Sequence, residues 1–205
     1  MGRLFIFLSA LVSFAVAHAT AADEIKIALQ ALGKVPVEVV EKVRVHLEEI
    51  YAVHVEVQAV KELPASAFYR PRERYRAEKL LDWLEANTAA VFTKVIGVTG
   101  ADISTTKGDA FDWGVFGLGQ VGQRPCVIST FRLGRAAPRA KMILRTQRVA
   151  AHEVGHTFGL EHCTTPGCMM NDAEGKISTV DNETGQLCDR CRARVPARNA
   201  TVPDR

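Results

Sequence analysis

The sequence lacks any hydrophobic run long enough to span a membrane. Its one extended apolar stretch, Leu4 to Ala17, covers 14 residues, against the ~20 that a bilayer-crossing helix requires. Met1-Gly2-Arg3 puts a positive charge ahead of it, and the small residues of Ala17-His18-Ala19 and Ala19-Thr20-Ala21 follow. Residues 1–21 therefore read as a secretory signal peptide cut after Ala19 or Ala21. The mature protein is expected to be exported, periplasmic or secreted, with no stable membrane anchor. Blocks of like charge are missing too: 26 Lys and Arg are interspersed with 23 acids for a net charge of +3, which leaves no footprint for a nucleic acid. Aromatic residues are few, at 7%, and tyrosine occurs only at 51, 69 and 75, so no phenol is available from residue 76 onward. Cysteine is absent before position 126, and four of the five then fall between 163 and 191. After export, such close spacing ordinarily signals disulfides.

What is present is the composition of a globular protein: 205 residues, 47% apolar and 24% charged, suited to one core. The expected layout is a single, monomeric domain over 22–191 and a loose tail over 192–205, where two prolines and four arginines fall within fourteen residues. Ile25, Ile27 and Leu29 alternate as a strand. Val40, Val43, Leu47 and Ile50 form a helical stripe within Val37 to Tyr51, and Val53, Val55 and Val57 form a second strand. A charged loop with Pro64 and Pro71 leads to a helix from about Tyr75 to Ala86. Strands are predicted over Val91–Thr99, Asp112–Val121 and Val127–Phe131, with a hydrophilic turn at Thr105–Asp109. A helix is predicted from near Met142 through Leu160, and the chain beyond it to Cys191 reads as loop-rich. Strand and helix alternating, then a helix and loops, predict an α/β or α+β fold with helices packed on a twisted mixed sheet.

Gly117-Leu118-Gly119-Gln120-Val121-Gly122 matches the dinucleotide fingerprint in form only. That fingerprint needs a helix starting at the glycines, whereas Gln123-Arg124-Pro125 and a β-like run follow here, and no acid lies near position 140 to hold a ribose. The segment that carries chemistry is His152-Glu153-Val154-Gly155-His156-Thr157-Phe158-Gly159-Leu160-Glu161-His162. On a helix, residues four apart share a face, so His152 and His156 can turn imidazoles to one metal ion. Glu153 sits one step aside, placed to reach a water rather than the metal. Gly159 permits the positive φ that ends a helix, letting His162 return as third ligand. Three nitrogens leave a fourth position open, the mark of catalytic zinc.

After His162 come Cys163, four residues, Cys168, one residue, Met170, seventeen residues, Cys188, two residues and Cys191. The histidine motif followed by C-x4-C-x-M-x17-C-x-x-C resembles the archaemetzincins, a group of metzincin metallopeptidases. Fainter similarity runs through Ala31-Leu32-Gly33, Tyr69 to Tyr75, and Ile96-Gly97-Val98-Thr99 with Asp102. The resemblance implies that Met170 packs beneath the catalytic zinc in a methionine turn. It also implies that Cys163, Cys168, Cys188 and Cys191 bind a second, structural zinc, giving two ions per chain. The tyrosine that several metzincin groups place after that methionine is missing. Cys126 stands outside the signature and is expected to be a buried small hydrophobe. The implied activity is hydrolysis of peptide or protein substrates by zinc-activated water with Glu153 as general base. Amino- and endopeptidase action are both compatible with it, and the alternative is a zinc-stabilised peptide-binding module with little turnover.

Overall fold

Alternating burial does not run through β1 (Lys26–Leu32): every residue from Ile27 to Leu32 is buried, because strands flank it and helices cover both faces. The computed structural model describes residues 25–195. The expected signal peptide with its cleavage sites, and residues 196–205, lie outside the described residues. After β1 come α1 (Val37–Tyr51), β2 (His54–Lys61), β3 (Phe68–Tyr69), β4 (Arg74–Arg76), α2 (Ala77–Asn87) and β5 (Lys94–Thr99). Then follow β6 (Ile103–Lys107), β7 (Ala110–Val115), β8 (Gly117–Gly119), β9 (Pro125–Ser129), α3 (Thr130–Leu133), α4 (Arg139–Thr157), α5 (Ile177–Asn182) and α6 (Asp189–Arg192).

The strands make two sheets, ordered β2-β1-β5-β9-β8 and β3-β4-β6-β7. In the first, β1, β2, β5 and β9 are parallel, and β8 closes one edge antiparallel to β9. Ile27, Leu29, Ile96 and Ile128 pack on one side with Val43 and Leu47 of α1 and Val149 and Val154 of α4. Ala28, Leu32 and Val127 pack on the other with Leu80 and Leu84 of α2. The mixed α/β architecture with helices on a twisted sheet is as the sequence predicts.

Local differences have local causes. The expected strand Asp112–Val121 divides at Phe116, so that β7 joins the second sheet and β8 the first. Glycines make the switch possible: a Cβ on Gly114 would lie 2.0 Å from the Arg132 guanidinium, and one on Gly117 would lie 2.6 Å from Glu153 Cγ. The hydrophilic turn predicted from Thr105 is mostly strand, with β6 running to Lys107 before a tight turn. Residues 192–195, expected to open a loose tail, are packed: Arg192 donates to the Ile50 carbonyl, and Val195 is buried in the main core.

α4 is tied to the later chain through Arg145, whose buried guanidinium donates Nε and Nη2 to Asp181 at 2.7 and 2.8 Å. Hydrogen bonds from Arg145, and the added charge of Lys141, hold the Asp181 carboxyl well below the usual carboxylate range. The pair's stability is therefore present in full above about pH 4, the unfolded value, and is lost as pH falls below it. Asp181→Asn is expected to cost about 1–3 kcal/mol at neutral pH, between a surface and a fully buried pair. The gap between variant and wild type should narrow in acid, which urea titrations at pH 7 and pH 3 would check.

Candidate functional site

α4 delivers two of the three histidines and then stops where the third must turn back. The helix ends at Thr157, Gly159 takes φ +89, and Leu160 N–H donates to the Gly155 carbonyl at 3.0 Å across the turn. This six-residue closure uses the left-handed glycine to satisfy the last carbonyls, and buried Leu160 anchors it. The chain returns, and one ligand atom from each of His152, His156 and His162 lies within 4.8 Å of the other two.

The imidazoles are oriented by backbone. His152 Nδ1 donates to the Met169 carbonyl at 2.8 Å and His156 Nδ1 to the Leu160 carbonyl at 2.7 Å. A carbonyl only accepts, so the protons sit on Nδ1 and both Nε2 atoms carry lone pairs, 3.0 Å apart. Two lone pairs so placed repel unless a cation lies between them, and tetrahedral zinc would set such nitrogens about 3.3 Å apart. Burial, then the neighbouring His156, pushes His152 down to about 3, and burial also lowers His156, so both are neutral donors. His162 is half exposed, with Asp172 Oδ2 3.5 Å from its Nδ1.

Gly155, inside the motif, makes room beneath the helix. A Cβ there would lie 2.6 Å from Met170 Sδ and 2.9 Å from Tyr51 Oη. Met170 is fully buried, and Tyr51 Oη donates to the Ala151 carbonyl at 2.5 Å, just before His152. Met170 thus packs against Gly155 on the metal-motif helix. Gly155→Ala should destabilise the protein by about 1–3 kcal/mol through overpacking and lower its zinc affinity; thermal unfolding and metal titration would show both.

Glu153 is buried between α4 and β8 and is not among the three converging nitrogens. Burial pushes its carboxyl up to about 8, opposed by a bond from the Gly119 N–H. Gly119 allows this approach because a Cβ there would meet the Glu153 carbonyl oxygen at 2.6 Å. The glycines of the apparent dinucleotide fingerprint therefore let an edge strand lie against the metal-binding helix. His152, Glu153, His156 and His162 line a cleft of about 330 Å³, bounded by the arm Trp113–Gly119, by residues 172–175, and by Val149, Val180 and Glu183. No tyrosine lines it among the described residues.

The four clustered cysteines meet alongside. None is in a disulfide, Cys163 and Cys188 Sγ are 3.8 Å apart, and Cys168 and Cys191 Sγ are 3.9 Å apart. Zinc–sulfur bonds of about 2.3 Å in a tetrahedron place sulfurs about 3.8 Å apart, so the spacing fits one ion and is far from the ~2.05 Å of a disulfide. Against burial, which would raise it, bonds from Thr165 and Arg190 hold the Cys163 thiol down to about 5. Cys163 N–H donates to the Met170 carbonyl at 2.8 Å, and Asn171 Nδ2 reaches the Cys163 carbonyl at 2.6 Å, joining this cluster to the methionine turn. Cys126 lies fully buried below Gly119, a core residue as expected. Sequence reading missed Tyr51, Glu183 and the part that Gly117 and Gly119 play in seating Glu153. Of these only the glycines carried a signal, as residues out of place in a strand.

Comparison with known proteins places the chain in a family. The family model of peptidase family M54 matches residues 1–196. The chain is 31% identical over 172 residues to the archaemetzincin of Halobacterium salinarum, covering 80% of this chain and 95% of that protein. It is 33% identical over 175 residues to the archaemetzincin of Haloarcula marismortui, with the same coverage of 80% and 95%. The fold matches the crystal structure of archaemetzincin from Methanopyrus kandleri with TM-score 0.72 and 30% identity, covering 85% of this chain and 95% of that one. It matches archaemetzincin from Archaeoglobus fulgidus complexed with malonate with TM-score 0.71 and 29% identity, covering 83% and 100%.

Proposed function

The chain belongs to peptidase family M54 as a zinc metallopeptidase of the archaemetzincin type, and we propose that His152, His156 and His162 hold its catalytic zinc while Glu153 is the general base. We assign a second, structural zinc to Cys163, Cys168, Cys188 and Cys191. The observation that carries the assignment is the placing of Glu153: a buried carboxyl beside three convergent nitrogens, fixed by Gly119 N–H and outside the ligand set. When bound, zinc would supply Lewis acidity that activates water and polarises the peptide carbonyl.

The chain's own residues do the rest. Met169 and Leu160 carbonyls fix the imidazole tautomers. Glu153 takes the proton from the attacking water and passes it to the leaving amine, a role open to its ionised form, which the Gly119 N–H favours. It does so without a tyrosine in the cleft. β8 is an edge strand and lines the cleft, so an extended peptide would lie along the arm Trp113–Gly119 as an added strand. Export by the N-terminal segment is part of this reading and is checked by sequencing the mature N-terminus; among the described residues no helix is long and apolar enough to cross a membrane. The direct test is zinc content measured alongside cleavage of a mixed peptide library. Native protein should hold two ions and cleave, a chelator should stop cleavage, and zinc should restore it. Well-metallated protein that cleaves nothing would sink the mechanism.

A further inference from the structure

One acid of the cleft has no task in that mechanism. Glu183 follows α5, is 5% exposed, and lines the same cleft as the three histidines. Its Oε2 has no hydrogen-bond partner among the described residues. Arg148 bears on it electrostatically and gives Nη1 to the carbonyls of Val180 and Asp181; its Nε is also buried without a hydrogen-bond partner, and the two side chains form no ion pair among the described residues. The cleft's other acids are occupied: Glu153 by Gly119, Asp172 beside His162, and Glu174 with Lys176. Burial pushes the Glu183 carboxyl up to about 8, and a cation brought to it would favour its ionised form.

The same cleft is also lined by apolar side chains. Val149 stands one helical turn before His152, and Val180 is buried one turn before Glu183. Apolar walls ending at an unpaired buried carboxyl match a side chain with an aliphatic stem and a cationic head. A neutral side chain of equal length would fill the same space and leave the carboxyl unpaired, and such a loss discriminates strongly. We infer that Glu183 forms the end of a specificity pocket that takes a lysine or arginine side chain flanking the bond to be cut. This rests on the reading that the cleft binds peptide.

Binding to zinc-loaded Glu153→Gln protein separates the inference from catalysis. The probes are N-acetylated, C-amidated peptides carrying lysine or norleucine at one position at a time, titrated by fluorescence anisotropy. At one position lysine should bind about tenfold or more tighter than norleucine, as a charge-assisted hydrogen bond allows. Adding Glu183→Gln should abolish that preference while leaving norleucine peptides unchanged; Glu183→Met serves if the amide perturbs folding. Equal affinity for lysine and norleucine at every position, or a preference that survives both substitutions, overturns the inference. So does tighter binding of peptides with a free α-amine when lysine brings no gain, since the carboxyl would then hold a chain terminus. Wild-type cleavage of the same peptides is scored apart: a lysine preference in binding without any cleavage leaves the pocket standing and removes the hydrolytic mechanism.

Discussion

Glu153→Gln is expected to lower peptide hydrolysis by about 10²–10⁴, the usual worth of a positioned general base, while zinc content, fold and peptide affinity stay as in wild type. The substitution keeps the side chain's size where size matters. Gly117 and Gly119 press β8 so closely on Glu153 that even a methyl group on either would fall within 2.6 Å of it. An amide oxygen can still accept from Gly119 N–H, so the group stays in place and loses only its basicity. No tyrosine is at hand in the cleft to take over. Turnover in the variant equal to wild type would remove Glu153 from the mechanism. A variant that loses zinc as well as turnover would instead make Glu153 part of the metal site.

Cys168→Ser is expected to reduce the zinc content from two ions to one and to lower Tm on the order of 10 °C, since structural zinc contributes directly to folding. The position is severe because Cys168 is 2% exposed and belongs to the main core, so a hydroxyl left there has neither a metal nor water. Residues 158–176, between α4 and α5, contain no regular element and depend on the cysteine cluster, Asn171 and the bond from Cys163 to Met170 for their shape. Catalysis should weaken as well, through His162, which directly precedes Cys163. His156→Ala makes the contrast: one ion lost, the cysteine-bound ion kept, and only a small change in Tm. Native protein with a single zinc and mass-spectrometric evidence for two disulfides among these cysteines would defeat the assignment.

Much of this site could be read before any fold was known, because its chemistry depends on short-range spacing. His152 and His156 are one helical turn apart whatever else the chain does, Glu153 is their neighbour, and Gly159 marks the end of the helix. The stripes of α1 and α2 were equally plain, since an amphipathic helix records in its own periodicity which face it buries. Strand assignments in the middle of the chain were weaker. From Asp112 to Val121 the residues suit one strand, and nothing local shows that β7 and β8 pair in different sheets. That follows from where Arg132 and Glu153 stand, which only the fold decides. The same holds for Glu183: its sequence neighbours suggest a polar loop, and its place in one cleft with Val149 and Val180 depends on α5 packing on α4, more than thirty residues away in the chain. Spacing within one element is set by backbone geometry and is legible locally. Which element lies over which, and so which carboxyl is left buried without a partner, is set by contacts between distant segments that no local pattern records.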